Sequence, residues 1–196
     1  QRHAGEPGSR LELSFAYSYR AAECRGNAHL LTSGELAFPA ARLVVVYSPA
    51  THRQRFYGEH AAGVRCLARH PTGAALASGA GASAASPNAP PIHVWDPETL
   101  RTAAAFGGRT YAAGVAALAF DRTGELLAAI GADAHQTVGL WEWRTGSLVG
   151  VAAGSPAPLF ALAFSPADGT LATAGVRCLR LWTRDALGGP LICRDA

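Results

Sequence analysis

The residues best suited to catalysis or metal binding do not occur in the spacings that those functions require. Seven histidines and four cysteines are present, but no HxH, HExxH or CxxC pattern places them as ligands around a metal ion. No serine lies in a GxSxG turn, and Gly79-Ala-Gly81 lacks the lysine and the following helix of a phosphate-binding loop. The sequence therefore predicts no catalytic, metal or cofactor site, and a protein that is not an enzyme.

Arginine is the remaining residue type with clear binding chemistry, because the chain contains no lysine. The planar guanidinium group pairs well with carboxylates. The formal net charge is only +3 and the arginines are scattered along the chain, which argues against a nucleic-acid-binding face. We therefore expect arginine contacts with acidic protein surfaces. The candidate partner-binding residues are Arg53, Arg55, Arg177 and Arg180.

Neither a membrane segment nor a secretion signal is visible in the sequence. No 18-residue apolar run is free of charged and polar breaks, and Gln1–Arg10 is polar. The cysteines Cys24, Cys66, Cys178 and Cys193 are far apart, and reduced thiols in the cytosol are favoured over disulfides. We expect a cytoplasmic protein without a membrane partner.

A segment that occurs three times must position these side chains. The copies begin at Val64, Val115 and Leu159, and each reaches a glycine turn and then a strand of small residues. Each copy continues to a strand that ends in tryptophan, and Trp95, Trp141 and Trp182 are 46 and 41 residues apart. This period is typical of a WD-repeat blade. The pattern predicts an all-β fold, a partial WD-repeat β-propeller of about four blades.

Several residues are predicted to hold the blades together rather than to bind a partner. In WD repeats the strand-ending tryptophan packs against its neighbours and donates its indole N–H to a network of a turn histidine and an aspartate. The candidate blade residues are His60, Trp95, Asp96, Asp133, Trp141 and Trp182. Asp133 is the candidate aspartate of the second clear blade, and no turn aspartate precedes Trp182.

The repeats divide the chain into units. We predict a linker over 1–10, a divergent first blade over 11–57, three WD blades over 58–100, 101–146 and 147–184, and a further blade or linker over 185–196. An inserted loop is expected over 79–91, and a strand over Leu11–Tyr19. A chain that begins with glutamine and lacks methionine is expected to be part of a longer protein. Either further blades or another chain should cover the exposed sheet faces.

The stretch before the first clear repeat resembles the HELP motif of the echinoderm microtubule-associated protein-like family. The resemblance rests on Tyr17-Ser-Tyr19-Arg20-Ala-Ala-Glu23-Cys24-Arg25-Gly26-Asn27, Leu30-Leu31-Thr-Ser-Gly34-Glu35-Leu36 and Leu43-Val-Val-Val-Tyr47. It continues through Gln54-Arg55-Phe56-Tyr57-Gly58-Glu59-His60 and the insertion that ends at Pro90-Pro91-Ile-His-Val-Trp95-Asp96. Together these segments cover about residues 11 to 184 in order.

This resemblance implies a tandem atypical propeller that is non-enzymatic and associated with tubulin or microtubules. It places the protein at the cytoskeleton and leaves a cilium or axoneme open as the setting. A generic WD-repeat adaptor for protein complex assembly is the alternative, and an enzyme with an active site in the propeller channel is the least favoured hypothesis. The expected partners are tubulin, microtubules and other proteins, without nucleic acid.

Overall fold

The computed structural model describes residues 12–21, 24, 26–184 and 191–195. Within these residues the strands form four antiparallel sheets of four strands each. Among the same residues, no helix has the length and hydrophobicity needed to cross a bilayer. The all-β fold and the partial propeller that the repeats predict are confirmed.

The strands follow the chain in simple order, each sheet being completed before the next begins. The first sheet comprises β1 (His29–Leu30), β2 (Leu36–Ala40), β3 (Leu43–Ser48) and β4 (Arg53–Tyr57). The second sheet comprises β5 (Val64–Arg69), β6 (Leu76–Ala80), β7 (Ile92–Trp95) and β8 (Thr102–Phe106). The third comprises β9 (Val115–Phe120), β10 (Leu126–Gly131), β11 (Val138–Glu142) and β12 (Ser147–Ala152). The fourth comprises β13 (Leu159–Phe164), β14 (Leu171–Gly175), β15 (Cys178–Arg184) and β16 (Leu191–Asp195).

The repeated segment forms the first strand of a sheet in all three of its copies. These strands, β5, β9 and β13, lie side by side and line an open cavity of about 520 Å³. Each is followed by a hairpin whose glycine has a positive φ, +78° at Gly73, +76° at Gly124 and +74° at Gly169. Gly34 has a φ of +80° in the same hairpin of the first sheet. The glycine of the repeat is thus required by the backbone, because residues with a Cβ atom are strained at these positive φ values.

The aromatic residue of each blade lies opposite a leucine. Tyr47, Trp95, Trp141 and Trp182 pair with Leu36, Leu76, Leu127 and Leu171 respectively. Tyr47 therefore holds in the first sheet the position that tryptophan holds in the others, and its distance of 48 residues from Trp95 is close to the period of the repeat. The repeats follow the sheets in register, even in the divergent first blade.

Each tryptophan shares a buried apolar cluster with the preceding sheet. Trp95 clusters with Val44 and Val46, Trp141 with Ile92 and Val94, and Trp182 with Val138 and Leu140. The same pair of positions in the fourth sheet is Leu179 and Leu181, whose side chains are 49% and 37% exposed. Val138 and Leu140 are 0% and 4% exposed. No other sheet of the described residues covers this last face.

Residues 12–19 form no strand, so the prediction of a strand over Leu11–Tyr19 is wrong for the described part of that segment. Alternating aromatic residues suggested sheet pairing. Instead, one side chain holds the segment on the first sheet: Gln54 accepts a hydrogen bond from the Ala16 amide at 2.7 Å and donates one to the Ala16 carbonyl at 3.2 Å. Phe15 and Tyr19 also contact the sheet, with 6.3 Å between the ring centroids of Phe15 and Tyr47 and 5.9 Å between those of Tyr19 and Phe38.

The first predicted unit, 11–57, ends with the first sheet at Tyr57, whereas the three WD units are offset from their sheets by one strand. Those three units end after the tryptophan strand, and each of their sheets also contains the strand that follows it. Gly79 and Ala80 belong to β6, so the connection in the second sheet is 81–91. The linker predicted over 1–10 lies outside the described residues. So do residues 185–190 and 196 of the last unit, while 191–195 form β16.

Gln136 joins the third and fourth sheets, and its loss should destabilise the protein. Its amide nitrogen donates to the carbonyl oxygens of Ser155 and Ala157, and its amide oxygen accepts from the Leu159 amide at 2.7 Å. Gln136→Ala leaves these backbone groups unpaired and should cost about 2 kcal/mol of unfolding free energy. Urea denaturation followed by circular dichroism measures this loss. The exposed neighbour His135 provides the control, His135→Ala, which should change little; equal losses in both variants would contradict the role of Gln136.

Candidate functional site: two propeller faces and the indole networks

The connections between strands emerge on two opposite faces of the propeller. Because neighbouring strands are antiparallel, successive connections alternate between the two ends of each sheet. One end carries the sheet-to-sheet connections 58–63, 107–114 and 153–158, together with 41–42, 81–91, 132–137 and 176–177; we name it the crossover face. The other carries 31–35, 49–52, 70–75, 96–101, 121–125, 143–146 and 165–170; we name it the hairpin face.

His60 and Trp95 share a buried hydroxyl partner, as members of one network. The Trp95 indole N–H donates to Ser78 Oγ at 3.0 Å, and His60 Nε2 lies 2.6 Å from the same oxygen. The His60 ring also stacks on His93, with 4.1 Å between ring centroids. Serine therefore stands in this blade where the sequence analysis expected an aspartate.

The other two tryptophans use different hydroxyl groups. The Trp182 indole donates to Thr173 Oγ1 at 2.9 Å. Thr173 lies two residues after Leu171, and Ser78 lies two residues after Leu76, so the two hydroxyl groups occupy equivalent strand positions. The third sheet has Ala129 at this position, which carries no hydroxyl. There Trp141 donates to the Tyr111 hydroxyl at 3.3 Å, and that hydroxyl donates to the Ala129 carbonyl. Tyr111 from the 107–114 connection thus replaces the missing strand hydroxyl.

Asp96 and Asp133 stabilise turns and do not bond to an indole among the described residues. Asp96 accepts from the Glu98 amide at 2.7 Å and from the Thr99 hydroxyl at 2.9 Å. Asp133 accepts from the amides of His135 and Thr137, at 3.0 and 3.1 Å, and from the Thr137 hydroxyl. Both carboxylates therefore hold the local backbone of a connection on the propeller surface.

Burial of the histidine pair keeps it uncharged. Burial, and to a smaller extent the neighbouring His93, lower the pKa of His60 to about 3. Burial also lowers the pKa of His93. The Nδ1 atom of His60 is buried without a hydrogen-bond partner in the described residues. A proton on this ring would introduce an unpaired charge into the blade, so the pair is suited to packing rather than to proton transfer.

Tyr111, Ser78 and Thr173 are network residues that sequence reasoning missed. A signal was present for Tyr111, which lies four residues before its repeat begins at Val115, as His60 lies four residues before Val64. The same position before Leu159 is Ser155, which is also buried. Because histidine, tyrosine and serine differ in size, a motif search for histidine finds only the first.

The four candidate arginines do not lie on one face. Arg53 is exposed beside the 49–52 turn, and Arg55 pairs with the Glu35 carboxylate at 2.8 Å and donates to the Glu98 carbonyl at 2.7 Å. Both belong to the hairpin face. Arg177 is exposed in the 176–177 turn of the crossover face, and Arg180 donates to the Gly154 carbonyl there. Arg55 and Arg180 thus make contacts within the chain, whereas Arg53 and Arg177 point to solvent.

The thiols and the acidic groups form no metal centre within the described residues. No group of three or more histidine, cysteine or acidic side chains is close enough there to hold an ion. None of the four cysteines forms a disulfide, and burial raises the pKa of the Cys66 thiol. A thiol that stays protonated is a poor nucleophile and a poor metal ligand.

Two family models match the chain and between them extend from residue 6 to residue 192. Residues 53–192 match the model described as the first β-propeller of echinoderm microtubule-associated protein. Residues 6–45 match the HELP motif, which includes the segment that Gln54 holds on the first sheet. The two matches therefore include the second and third sheets completely and most of the first and fourth.

Curated relatives are similar over almost the whole chain. Mouse echinoderm microtubule-associated protein-like 2 is 33% identical over 195 residues, which is 96% of this chain and 30% of the relative. Human echinoderm microtubule-associated protein-like 1 is 33% identical over 90% of this chain and 22% of its own length. Xenopus laevis echinoderm microtubule-associated protein-like 4 is 31% identical over 90% of this chain and 20% of its own length. The chain thus spans less than a third of these relatives. It belongs to the echinoderm microtubule-associated protein-like family.

Proposed function

We propose that this chain is part of a non-enzymatic scaffold that binds tubulin or microtubules through its propeller faces. The observation that carries the proposal is the match of residues 53–192 to the first β-propeller of echinoderm microtubule-associated protein. The relatives are named as microtubule-associated proteins. The corresponding location for this chain is the cytoplasm, at the microtubule cytoskeleton.

The chemistry of the histidines and thiols supports a binding role rather than a catalytic one. His60 and His93 are buried and neutral, and they pack in a blade instead of facing a cavity. The buried Cys66 thiol has a raised pKa. In contrast, both propeller faces expose arginine, whose guanidinium group forms charge-assisted hydrogen bonds with carboxylates. The tubulin surface is acidic, so these arginines match it in charge.

The proposal is tested by co-sedimentation with taxane-stabilised microtubules at increasing salt concentrations. Microtubules treated with subtilisin, which removes their acidic tails, are compared in parallel. We expect the protein to pellet with intact microtubules at low ionic strength and less at high ionic strength, because salt screens exposed charge pairs. Weaker pelleting with treated microtubules would assign the contact to the tails, and unchanged pelleting would assign it to the body of the lattice.

Absence of pelleting at every salt concentration would overturn direct microtubule binding. In that case the generic WD-repeat adaptor, which is the alternative from the sequence, becomes the favoured function. Soluble tubulin dimer is tested separately by size-exclusion chromatography, because a propeller face can bind the dimer without binding the lattice. The ciliary setting is tested by replacing the purified microtubules with isolated axonemes.

A further inference from the structure

The crossover face carries an excess of positive charge that the hairpin face lacks. Its described connections contain the arginines Arg42, Arg109 and Arg177 against two acidic residues, Glu59 and Asp133. The described hairpin connections contain three arginines against six acidic residues. Arginines at nearby strand ends, such as Arg53 and Arg69, bring the hairpin face close to neutrality. The opposite ends of the same blades thus differ in charge.

Three further arginines lie at the crossover face, where Asp195 at the end of β16 is opposite one of them, Arg180, in the strand register. Gly63 and Gly81 are joined by a hydrogen bond of 2.9 Å at the junction of the first two sheets. The Arg20 guanidinium lies against Gly63 and that of Arg65 lies against Gly81. The Ala41 carbonyl, next to Arg42, accepts from the Val64 amide at 2.8 Å. Arg180 reaches the same face through the Gly154 carbonyl.

The acidic residues of this face do little to neutralise its arginines. The Asp133 carboxylate is occupied by the amides of His135 and Thr137. Within the described residues no ion pair is formed by Arg42, Arg65, Arg109 or Arg177. The ion pair between Arg55 and Glu35 lies on the hairpin face. Arg42, Arg109 and Arg177 are exposed. Their guanidinium groups are therefore available to an external anion.

We propose that the crossover face is a docking surface for an acidic, glutamate-rich protein segment. The arginines lie on separate blades rather than in a continuous stripe, and their connections carry no exposed aromatic ring for base stacking among the described residues. This arrangement suits carboxylates spaced along an extended peptide better than a nucleic-acid backbone. This inference rests on the proposed function, because it assumes that the partner is a protein. It adds the identity of the face that binds that partner.

The test compares two triple variants that change the net charge equally. Arg42→Glu, Arg109→Glu and Arg177→Glu reverse exposed arginines of the crossover face. The matched control reverses the three exposed arginines of the hairpin connections, Arg101→Glu, Arg122→Glu and Arg144→Glu. Binding of a fluorescein-labelled oligoglutamate peptide is measured by fluorescence anisotropy at low and at physiological ionic strength. Circular dichroism melting of both variants shows whether they fold.

We expect the crossover triple to weaken peptide binding about tenfold or more, and the control triple to weaken it no more than about threefold. Equal weakening by the two triples would overturn the proposal, because only the total charge would then matter. Absence of binding by the unmodified chain at low ionic strength would overturn it too. Tighter binding of oligouridine than of oligoglutamate would replace the protein partner by nucleic acid.

Pelleting of the same variants with microtubules separates this inference from the proposed function. Suppose that the crossover triple weakens peptide binding but the unmodified chain does not pellet with microtubules. This result would support the crossover face as the docking surface and refute the microtubule function. Suppose instead that neither triple changes pelleting and that both triples weaken peptide binding equally. This result would support the microtubule function and refute the crossover face as the docking surface.

Discussion

At about pH 5 the protein should lose about 2 kcal/mol of unfolding free energy relative to neutral pH through His60 alone. The pKa of this histidine is lowered in the folded protein from its ordinary value of 6.5 to about 3. Between these two values the unfolded chain takes up a proton that the folded chain does not. The stability contribution is therefore fully present above pH 6.5 and falls as the pH decreases towards 3.

The structure explains why the folded protein resists this proton. His60 is buried, stacks on His93 and has Tyr57 at its edge, 5.9 Å away between ring centroids. Its Nε2 atom is held by Ser78, and its buried Nδ1 atom has no partner among the described residues. Glu59 is the acidic residue nearest in sequence, and it is exposed. A charged imidazole would thus lose its hydration without a carboxylate to replace it.

Urea denaturation followed by tryptophan fluorescence at about pH 7.5, 6 and 5 measures this effect. His60→Gln keeps a side-chain amide that can reach Ser78 but cannot titrate, so the pH dependence should become shallower while stability at neutral pH decreases. His135→Gln removes an exposed histidine and should keep the slope of the unmodified protein. The same slope in the His60 variant and in the unmodified protein would show that another group causes the acid sensitivity.

The regular part of this fold could be predicted because it repeats. A glycine that must adopt a positive φ, a leucine and a tryptophan recur at nearly constant spacing, and each corresponds to a turn or a register position in a sheet. Local backbone requirements and the period of side-chain burial are both readable from one sequence. Tyr47 illustrates this, because it lies 48 residues before Trp95 and pairs with Leu36 as Trp95 pairs with Leu76.

The indole partners other than Tyr111, and the distribution of the arginines over the two faces, could not be predicted, because they depend on which residues meet in space. The indole partners differ from blade to blade: Ser78 and Thr173 lie on the neighbouring strand, whereas Tyr111 comes from a connection. The arginines Arg53 and Arg177 looked equivalent in the sequence, but the alternation of connections puts them on opposite faces. The aromatic segment at 12–19 alternates like a strand, yet the Gln54 side chain and ring contacts hold it in place of strand pairing.

Replacement of Trp95 by alanine should be the most damaging single change in the second blade. Its side chain is 0% exposed, and its ring stacks on Tyr57 at 4.3 Å between centroids with 2° between the ring planes. It also fills the cluster between the first two sheets that contains Val44 and Val46. Removing a fully buried tryptophan leaves a cavity, and the expected loss of unfolding free energy is about 4 kcal/mol.

The contribution of packing to this loss can be separated from that of the indole hydrogen bond. Trp95→Phe keeps a stacked ring but leaves Ser78 without its indole donor, and should cost about 1–2 kcal/mol beyond the change in volume. Tyr17→Ala is the matched control, because Tyr17 is 92% exposed and its loss should change stability little. Urea denaturation followed by circular dichroism compares all three, since removing a tryptophan alters the fluorescence signal. If Trp95→Phe cost as much as Trp95→Ala, the hydrogen bond to Ser78 and not the packing between sheets would be the main source of stability.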